Sequence, residues 1–422
     1  MFWKTENCNP LPVDALYCLS VSTYNSSRQK PDPQAVDILM ILAISALISL
    51  AIWCSLAIGR GGFWRLTERD DIYPPPPEIW PRVAIVIPAR DEAEVIGKCL
   101  GSLLRQDYPG PWSVILVDDN SGDGTADIAR RVAAECDPHK RLTIISGTAL
   151  PAGWTGKLWA LSQGMAAARS LSGVDYFLLS DADIVYAPQM LSWLAAHTFA
   201  RKALLTSFMV KLRCDSWAER FLVPAFVFFF QMLYPFPWVN HPANATAAAA
   251  GGCILVHADS LQEIGGIEAI RDALIDDCAL ARQLKTKGPI WLGLTERVRS
   301  IRSYPNWSDI AQMVSRSAYA QLGYSPIRLA GTVVAMTLTF LVPPAAALAG
   351  SDWTSLAGLT AWAIMALLFA PTMRMYGVPR WRAVALPAIA FSYLIFTLDS
   401  AWQSIRGKGG FWKGRFQAAR TK

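Results

Sequence analysis

DYFLLSDADIVY, running from Asp175 to Tyr186, carries a short apolar stretch, Phe177 to Leu179, that stops abruptly at Asp181-Ala182-Asp183. An apolar run closed by acids predicts a buried strand delivering carboxylates to its C-terminal edge, where open α/β sheets bind their ligands. If the chain stays extended through the motif, alternation sets Asp181 and Asp183 on the same side. Two hard oxygen donors then converge on one divalent cation, or on a cation and a ribose. Taken alone, a DxD fits a solvated strand end with an Asp helix cap more readily than a site. What surrounds it changes that balance.

Upstream, Val83 to Ile87 is a β-branched run ending at Pro88, and Glu94 to Leu104 has helical spacing. Val114 to Val117 reads as a second strand, closed by Asp118-Asp119 and a turn containing Gly122 and Gly124. A helix through Cys136, a strand over Leu142 to Ile145 and a helix from about Lys157 to Arg169 lead into the DxD strand. This βαβαβ succession predicts a mostly parallel sheet with its site at the strand C-termini. Each of those ends is polar: Pro88-Ala89-Arg90-Asp91-Glu92, then Asp118-Asp119, then the DxD. Carboxylates so placed accept hydrogen bonds from a nucleobase or from ribose hydroxyls. Neither GxGxxG nor GxxxxGK[ST] occurs in the chain, so a metal rather than a glycine loop is expected to neutralise the nucleotide's phosphates.

Of the 422 residues, 53% are apolar, but they are unevenly distributed. Ile38 to Ile58 is uncharged and long enough to cross a bilayer, and the polar stretch before it argues against a secretory signal. Leu329 to Ser351 and Trp353 to Met373 read as further spans, and Ala383 to Leu398 as a marginal one. The net charge of +6 is concentrated beside them, at Arg60, Arg65 and Arg69, at Arg374, Arg380 and Arg382, and at Arg406, Lys408, Lys413 and Arg415. Such clusters fit cytoplasmic flanks on anionic lipid better than a nucleic-acid site. They also conflict: three spans after the catalytic region put the Arg374 loop inside and the equally basic tail outside. Either the last run is re-entrant or interfacial, or the positive-inside rule fails here. Met1 to Asp37 reads as disorder or a translation-start artefact, and residues 59–81, with Pro74 to Pro77, as a stiff spacer holding a domain off the membrane. Eight cysteines without CxxC spacing and four isolated histidines argue against zinc and against a disulfide framework.

The segments IVIPARDEAEVI, LLRQDYPGPWSVILVDDNSGDGTADIA, LSDADI, GGCILVHADSLQEIGGI and LIDDCALARQLK resemble, in order and spacing, the family 2 glycosyltransferases with a GT-A fold. The likeness covers roughly residues 82–287. With RGGFWR after the first span, GWTGKLWALSQG in the middle and GGFWKGR near the end, the whole chain is similar to the hopene-associated branch, relatives of the ceramide glucosyltransferases. The resemblance implies a Rossmann-like, mostly parallel GT-A sheet over residues 82–325, with transmembrane helices at both ends (38–58 and 326–405) and a basic tail, 406–422. It implies that Asp91, where the family usually has Asn, lines the nucleotide pocket with Pro88, Ala89 and Glu92. By the same resemblance Asp118 contacts the base, Asp181 the ribose side, and Asp183 a Mg²⁺ or Mn²⁺ on the diphosphate, with Asp181 beside it. Asp277 matches the general base, and Asp276 before it departs mildly from the usual Glu. An alcohol is a poor nucleophile at neutral pH, and a carboxylate that takes its proton supplies the missing activation.

Lys157 and Trp154 in GWTGK suit a phosphate and a sugar face, and a capped amphipathic helix start equally. Trp217 to Trp238, with seven further Phe and Tyr residues between them, cannot cross the membrane without separating Asp183 from Asp277. It reads as an interfacial segment beside a lipid entry, with a buried core helix as the plain alternative. Gln312 and Arg316 stand where processive relatives carry Q-x-x-R-W, but three residues separate them and no Trp follows. That argues for single transfer, with Arg316 left to touch the diphosphate. The expectation is an inner-membrane, multi-pass, inverting transferase with a cytoplasmic catalytic domain. It would move a sugar from a nucleotide donor, most simply UDP-linked, to a lipid hydroxyl, with a hopanoid as the acceptor the resemblance implies. Ceramide-type and polyprenyl-phosphate transferases, and a non-catalytic scaffold of the same fold, remain open alternatives.

Overall fold

A computed structural model describes residues 33–171, 173–407, 411–412 and 415–416. Most of the N-terminal extension and of the basic tail lies outside these residues. Eight strands form one sheet: β1 (Val83–Ala89), β2 (Trp112–Asp118), β3 (Leu142–Ser146), β4 (Tyr176–Ser180), β5 (Ile184–Tyr186), β6 (Leu205–Lys211), β7 (Cys253–His257) and β8 (Ile290–Ser300). Helices α1 (Pro33–Gly59), α2 (Ala93–Leu104), α3 (Thr125–Cys136), α4 (Gly156–Leu171), α5 (Met190–Arg201), α6 (Trp217–Leu233), α7 (Phe236–Asn240) and α8 (Ala258–Glu263) come first in the chain. They are followed by α9 (Asp276–Lys285), α10 (Trp307–Ser315), α11 (Ala318–Gln321), α12 (Pro326–Met336), α13 (Val342–Ala349), α14 (Asp352–Met375) and α15 (Leu386–Ile405).

The strand order is β3-β2-β1-β4-β7-β6-β8-β5. The first four strands are parallel, as expected from the βαβ succession, whereas β7 pairs antiparallel with both β4 and β6, and β5 antiparallel with β8. All seven residues of β1 are buried because both faces of the sheet are covered. Val83, Ile85 and Ile87 pack with residues of α2 and α5, while Ala84 and Val86 pack with Leu161 and Met165 of α4.

The DxD motif departs from the extended geometry expected of it. β4 ends at Ser180, and the Ile184 N–H donates to the Asp181 carbonyl (3.3 Å), closing a turn over residues 181–184 before β5 begins. Ala182 is buried in the core, so the acids flanking it are set by a turn and not by strand alternation.

Four helical stretches are long and apolar enough to cross a membrane: Asp37–Gly59, Pro326–Ala349, Asp352–Met375 and Arg380–Ile405. The first three pack together, with Ala46 against Ala346 and Ala357, and the Trp53 indole N–H donates to the Thr339 carbonyl (2.7 Å). RGGFWR fastens α1 to the catalytic domain. Arg60 donates to the Met232 and Leu233 carbonyls at the end of α6 (3.1 and 3.2 Å), and Phe63 packs on Phe228. Gly61, at φ 62°, lies under the Trp238 indole, where a Cβ would come within 2.7 Å of the ring nitrogen, so no other residue fits there.

The stretch read as a spacer is docked on the domain. Arg69 pairs with Glu296, Asp70 accepts from Thr295 and Arg297 of β8, and Trp193 donates to the Ile72 carbonyl. Pro76 runs beside Pro109 and Gln189 on the domain surface. A proline run resists helix formation, but side chains on either side of it decide whether it stands free.

Candidate active site

Two loops at the C-terminal ends of β1 and β2 are knit to each other. Asp91, in the left-handed region at φ 51°, accepts from the Gly122 N–H (2.9 Å), and its own N–H donates to Ser121. That conformation is one that Asn and Asp adopt more readily than most residues. Asp123 accepts from the Ala93 and Thr125 N–H groups and the Thr125 hydroxyl. Burial pushes the Asp123 pKa up, but those hydrogen bonds outweigh it and hold the carboxyl below its usual range. Pro88, Ala89 and Asp118 are buried behind these loops, with Ala89 in register with Asp118.

The two DxD acids face different cations. Asp181 accepts from the Lys157 ammonium (3.0 Å), which also pairs with Asp276 (3.2 Å). Asp183 accepts from the Ser300 hydroxyl (2.5 Å), with the Arg302 Nε 3.5 Å away. Arg302 in turn donates to both oxygens of the buried Glu92 (2.8 and 2.7 Å). Glu92, expected to line the nucleotide pocket, is the counter-ion of Arg302. Burial lowers the Lys157 and Arg302 pKa values, yet the acids around each more than offset this and hold both above their usual ranges. Both side chains are cations at any working pH.

Asp276 and Asp277 open α9, where the helix dipole favours negative charge. Asp277 accepts from the Gly251 N–H (2.9 Å) and the Cys278 N–H (2.7 Å). A Cβ on Gly251 would lie 3.1 Å from the Lys157 Nζ and 3.5 Å from Asp277 Oδ2, so a side chain there would press on the lysine ammonium. Behind the acids are the apolar walls of Leu158, Leu179, Ile254, Ile270 and Leu280. Burial, and next the charge of Asp276, push the Asp277 pKa up to about 6, against the opposing pull of Lys157 and the two N–H groups. A base poised near neutrality is what proton abstraction from an alcohol requires. If Asp277 is that base, activity falls as pH drops through about 6 and the carboxylate takes up a proton. Asp276→Asn removes a repelling charge, so the acid limb of the kcat/KM profile is expected to move to lower pH. A limb that stays put or moves up in a pH-rate series contradicts the assignment.

Trp154 packs edge-on against Trp159 (5.2 Å), while Lys157 enters the cluster of acids, so the capped helix start and the charged site coexist in one motif. Arg316, at the end of α10, is exposed and makes no ion pair among the described residues, although its charge reaches the Tyr304 phenol. The aromatic segment forms α6 and α7, with α6 lying between the catalytic domain and the apolar helices: Phe228 meets Phe369 of α14, and Phe229 meets Tyr393 of α15. At its exposed start, Trp217, Phe221 and Trp307 stack with centroids 5.6 to 5.9 Å apart. Glu219, fully buried, accepts from the N–H groups of Asp215, Ser216 and Tyr304, tying this helix to the loop that carries Arg302.

Arg302 and Ser300 escaped the sequence reading. Nothing local separates Arg302 from Arg297, which pairs with Asp70, or from Arg299, which is exposed. Only the pairing of Ser300 with Ile184 across β8 and β5 brings this segment to Asp183. Among the described residues, no group of three or more His, Cys, Asp or Glu converges to hold a metal unaided. The residues present nonetheless fit a cation shared with a ligand: Asp183 Oδ2 is steadied by Ser300 and Arg302, and no described residue donates a hydrogen bond to its Oδ1. One or two carboxylates completed by substrate phosphates is the usual Mg²⁺ arrangement.

A parallel half-sheet continued by antiparallel strands, with acids gathered at the parallel strand ends, is the architecture of the GT-A class of glycosyltransferases. The family model described as "Glycosyltransferase like family 2" matches residues 81–304, more than half of the chain, and the chain belongs to that family. It is 30% identical over 145 residues to an N-acetylglucosaminyltransferase of Sinorhizobium fredii, covering 34% of this chain and 33% of that one. It is 34% identical over 112 residues to a beta-monoglucosyldiacylglycerol synthase of Trichormus variabilis, covering 26% of this chain and 22% of that one. The chain thus spans about a third or less of the length of these curated relatives. In fold it is similar to the solved mannosyltransferase PcManGT from Pyrobaculum calidifontis in complex with GDP-Man and Mn²⁺, at TM-score 0.53 and 19% identity, over 88% of this chain and 99% of that one.

Proposed function

We propose that this chain is a membrane-bound, metal-dependent, inverting glycosyltransferase that moves a sugar from a nucleotide donor to a lipid hydroxyl. The observation carrying this reading is the placing of Asp277, a half-buried carboxylate with its pKa raised to about 6, in the same cluster as Lys157 and the DxD acids. In the reaction, an Asp277 oxygen takes the proton of the acceptor hydroxyl as that oxygen bonds to the anomeric carbon. The bond from that carbon to the donor diphosphate breaks, and the nucleoside diphosphate leaves with the electron pair. A single displacement inverts the anomeric centre. Asp118, with Pro88 and Ala89, holds the base, and Asp91 keeps the two nucleotide loops together. Lys157, now on Asp181 and Asp276, is within reach of the diphosphate. A divalent cation held by Asp183 and Asp181 supplies positive charge against the departing group. The GDP-Man and Mn²⁺ bound by the solved neighbour of the same fold motivate that choice.

Three features support a lipid acceptor. Apolar helices flank the domain, α6 joins them to the site, and a glycolipid synthase is among the relatives. A hopanoid hydroxyl is the specific acceptor we favour, with UDP as the donor nucleotide and the cytoplasmic face of the inner membrane as the location. These rest on the RGGFWR, GWTGKLWALSQG and GGFWKGR resemblance. A polyprenyl phosphate is the less favoured acceptor, because its phosphate would need cations beyond Lys157, which the donor diphosphate takes up in this reading, and Arg302, which is paired with the buried Glu92. Donor binding tests the reading directly. Titration of the purified protein with a nucleotide sugar is expected to give binding that EDTA removes and Mn²⁺ or Mg²⁺ restores. Binding indifferent to EDTA argues against the metal role, and no binding of any nucleotide sugar moves the weight to a non-catalytic scaffold.

A further inference from the structure

The last apolar helix is long enough to span a membrane, but its contacts describe a different path. Tyr376, just past α14, accepts from the Leu212 N–H at the end of β6 (3.3 Å), so α14 ends against the catalytic domain. From there the 3₁₀ turn Arg380–Ala385 doubles back along α14, and the Trp362 indole N–H donates to the Val384 carbonyl (2.8 Å). Trp362 lies about 20 Å along α14 from Met375, at 1.5 Å of rise per residue. Helix α15 then returns the way the chain came. The Tyr393 hydroxyl donates to the Leu222 carbonyl of α6 (3.0 Å), the Phe396 carbonyl accepts from Ser315 of α10 (3.1 Å), and Ser400 accepts from the Tyr319 N–H of α11 (3.0 Å). All three partners belong to the chain between α1 and α12, which contains the catalytic domain.

We infer that α15 lies in the leaflet facing the catalytic domain and does not cross the bilayer. One face, with Ser392, Tyr393, Phe396 and Ser400, is buried on α6, α10 and α11. The other carries Phe391, Ile395, Leu398, Trp402 and Ile405, all exposed, at spacings of four, three, four and three. That is the apolar stripe of a helix whose second face needs a hydrocarbon partner. An interfacial pairing marks the end that returns to the catalytic domain, with Arg406 over the Trp402 ring (4.3 Å). With this path Arg406, at the end of α15, returns to the side of Arg374, and the conflict between those two basic flanks disappears.

The inference rests on the membrane reading above, and one experiment separates the two. The full-length chain would carry a protease-cleavable tag after Lys422, and a second version the same cleavage site in the exposed turn at His139–Lys140. Both would be placed in sealed vesicles of either orientation. Both sites are expected to be cut together in one orientation and protected together in the other, with the protein resisting alkaline carbonate. A tag protected wherever the 139–140 site is cut overturns the α15 path and leaves the membrane reading intact. Release of the protein by carbonate overturns both.

Discussion

Asp277→Asn is expected to lower kcat by about 10²–10⁴-fold, the usual worth of a general base, while the KM for the nucleotide sugar changes little. The amide keeps the size of the carboxylate but cannot take a proton. It also accepts through only one atom, so one of the Gly251 and Cys278 N–H groups loses its partner. That loss costs stability on the order of 1–3 kcal/mol if the freed donor stays buried, which makes the donor KM an essential control for an intact fold. Asp276→Asn supplies the contrast: it leaves the base in place and shifts only the pH at which it works. Comparable kcat losses in both variants contradict the division of labour proposed for this pair.

Asp183→Asn carries the second large effect. The side chain is held between Ser300 and Arg302, and substitution removes a full negative charge from the group expected to hold the cation. Interactions aimed at transition-state charge are worth about 10²–10³-fold each, and kcat/KM is expected to fall by at least that much, with the metal concentration for half-maximal rate rising. Arg302 keeps its pairing with the buried Glu92, so the loop geometry survives. Arg302→Lys separates positioning from binding. Lysine lacks the planar fork that reaches Glu92 and Asp183 together, so metal affinity should weaken with less effect on a metal-independent readout such as the circular dichroism of the protein in EDTA.

The first half of the sheet was legible because each parallel strand is a short apolar run, three of the four running into acids, with a helical period between runs. β1 to β4 and α2 to α4 all follow that pattern. Beyond the DxD the pattern ends. β7 enters the sheet between β4 and β6 antiparallel, a pairing set by contacts distant in sequence that no local period announces. The same non-locality hid Arg302, one of three arginines spaced along residues 297–302, whose role depends on the register of β8 against β5. The alternation argument for Asp181 and Asp183 failed for a local reason, a turn closed at Ile184, yet both acids still reach the site because the turn sits on the strand edge. The role proposed for Asp277 came from resemblance and not from local pattern. An acidic pair opening a helix is ordinary, and the apolar walls that raise its pKa come from α4, β4, β7 and the 3₁₀ turn Ile267–Ile270. The proline stretch after α1 shows the limit of composition, since its docking depends on Arg69, Asp70 and Trp193.

The most direct test of the central claim is mass spectrometry of lipid extracts from cells expressing the native chain or Asp277→Asn, in a host that makes hopanoids and in one that does not. The account predicts a hexose-type mass increment on a hopanoid with the native chain only, absent from both Asp277→Asn extracts. An increment of equal size with Asp277→Asn, or none with a folded native chain and its donor present, would contradict it.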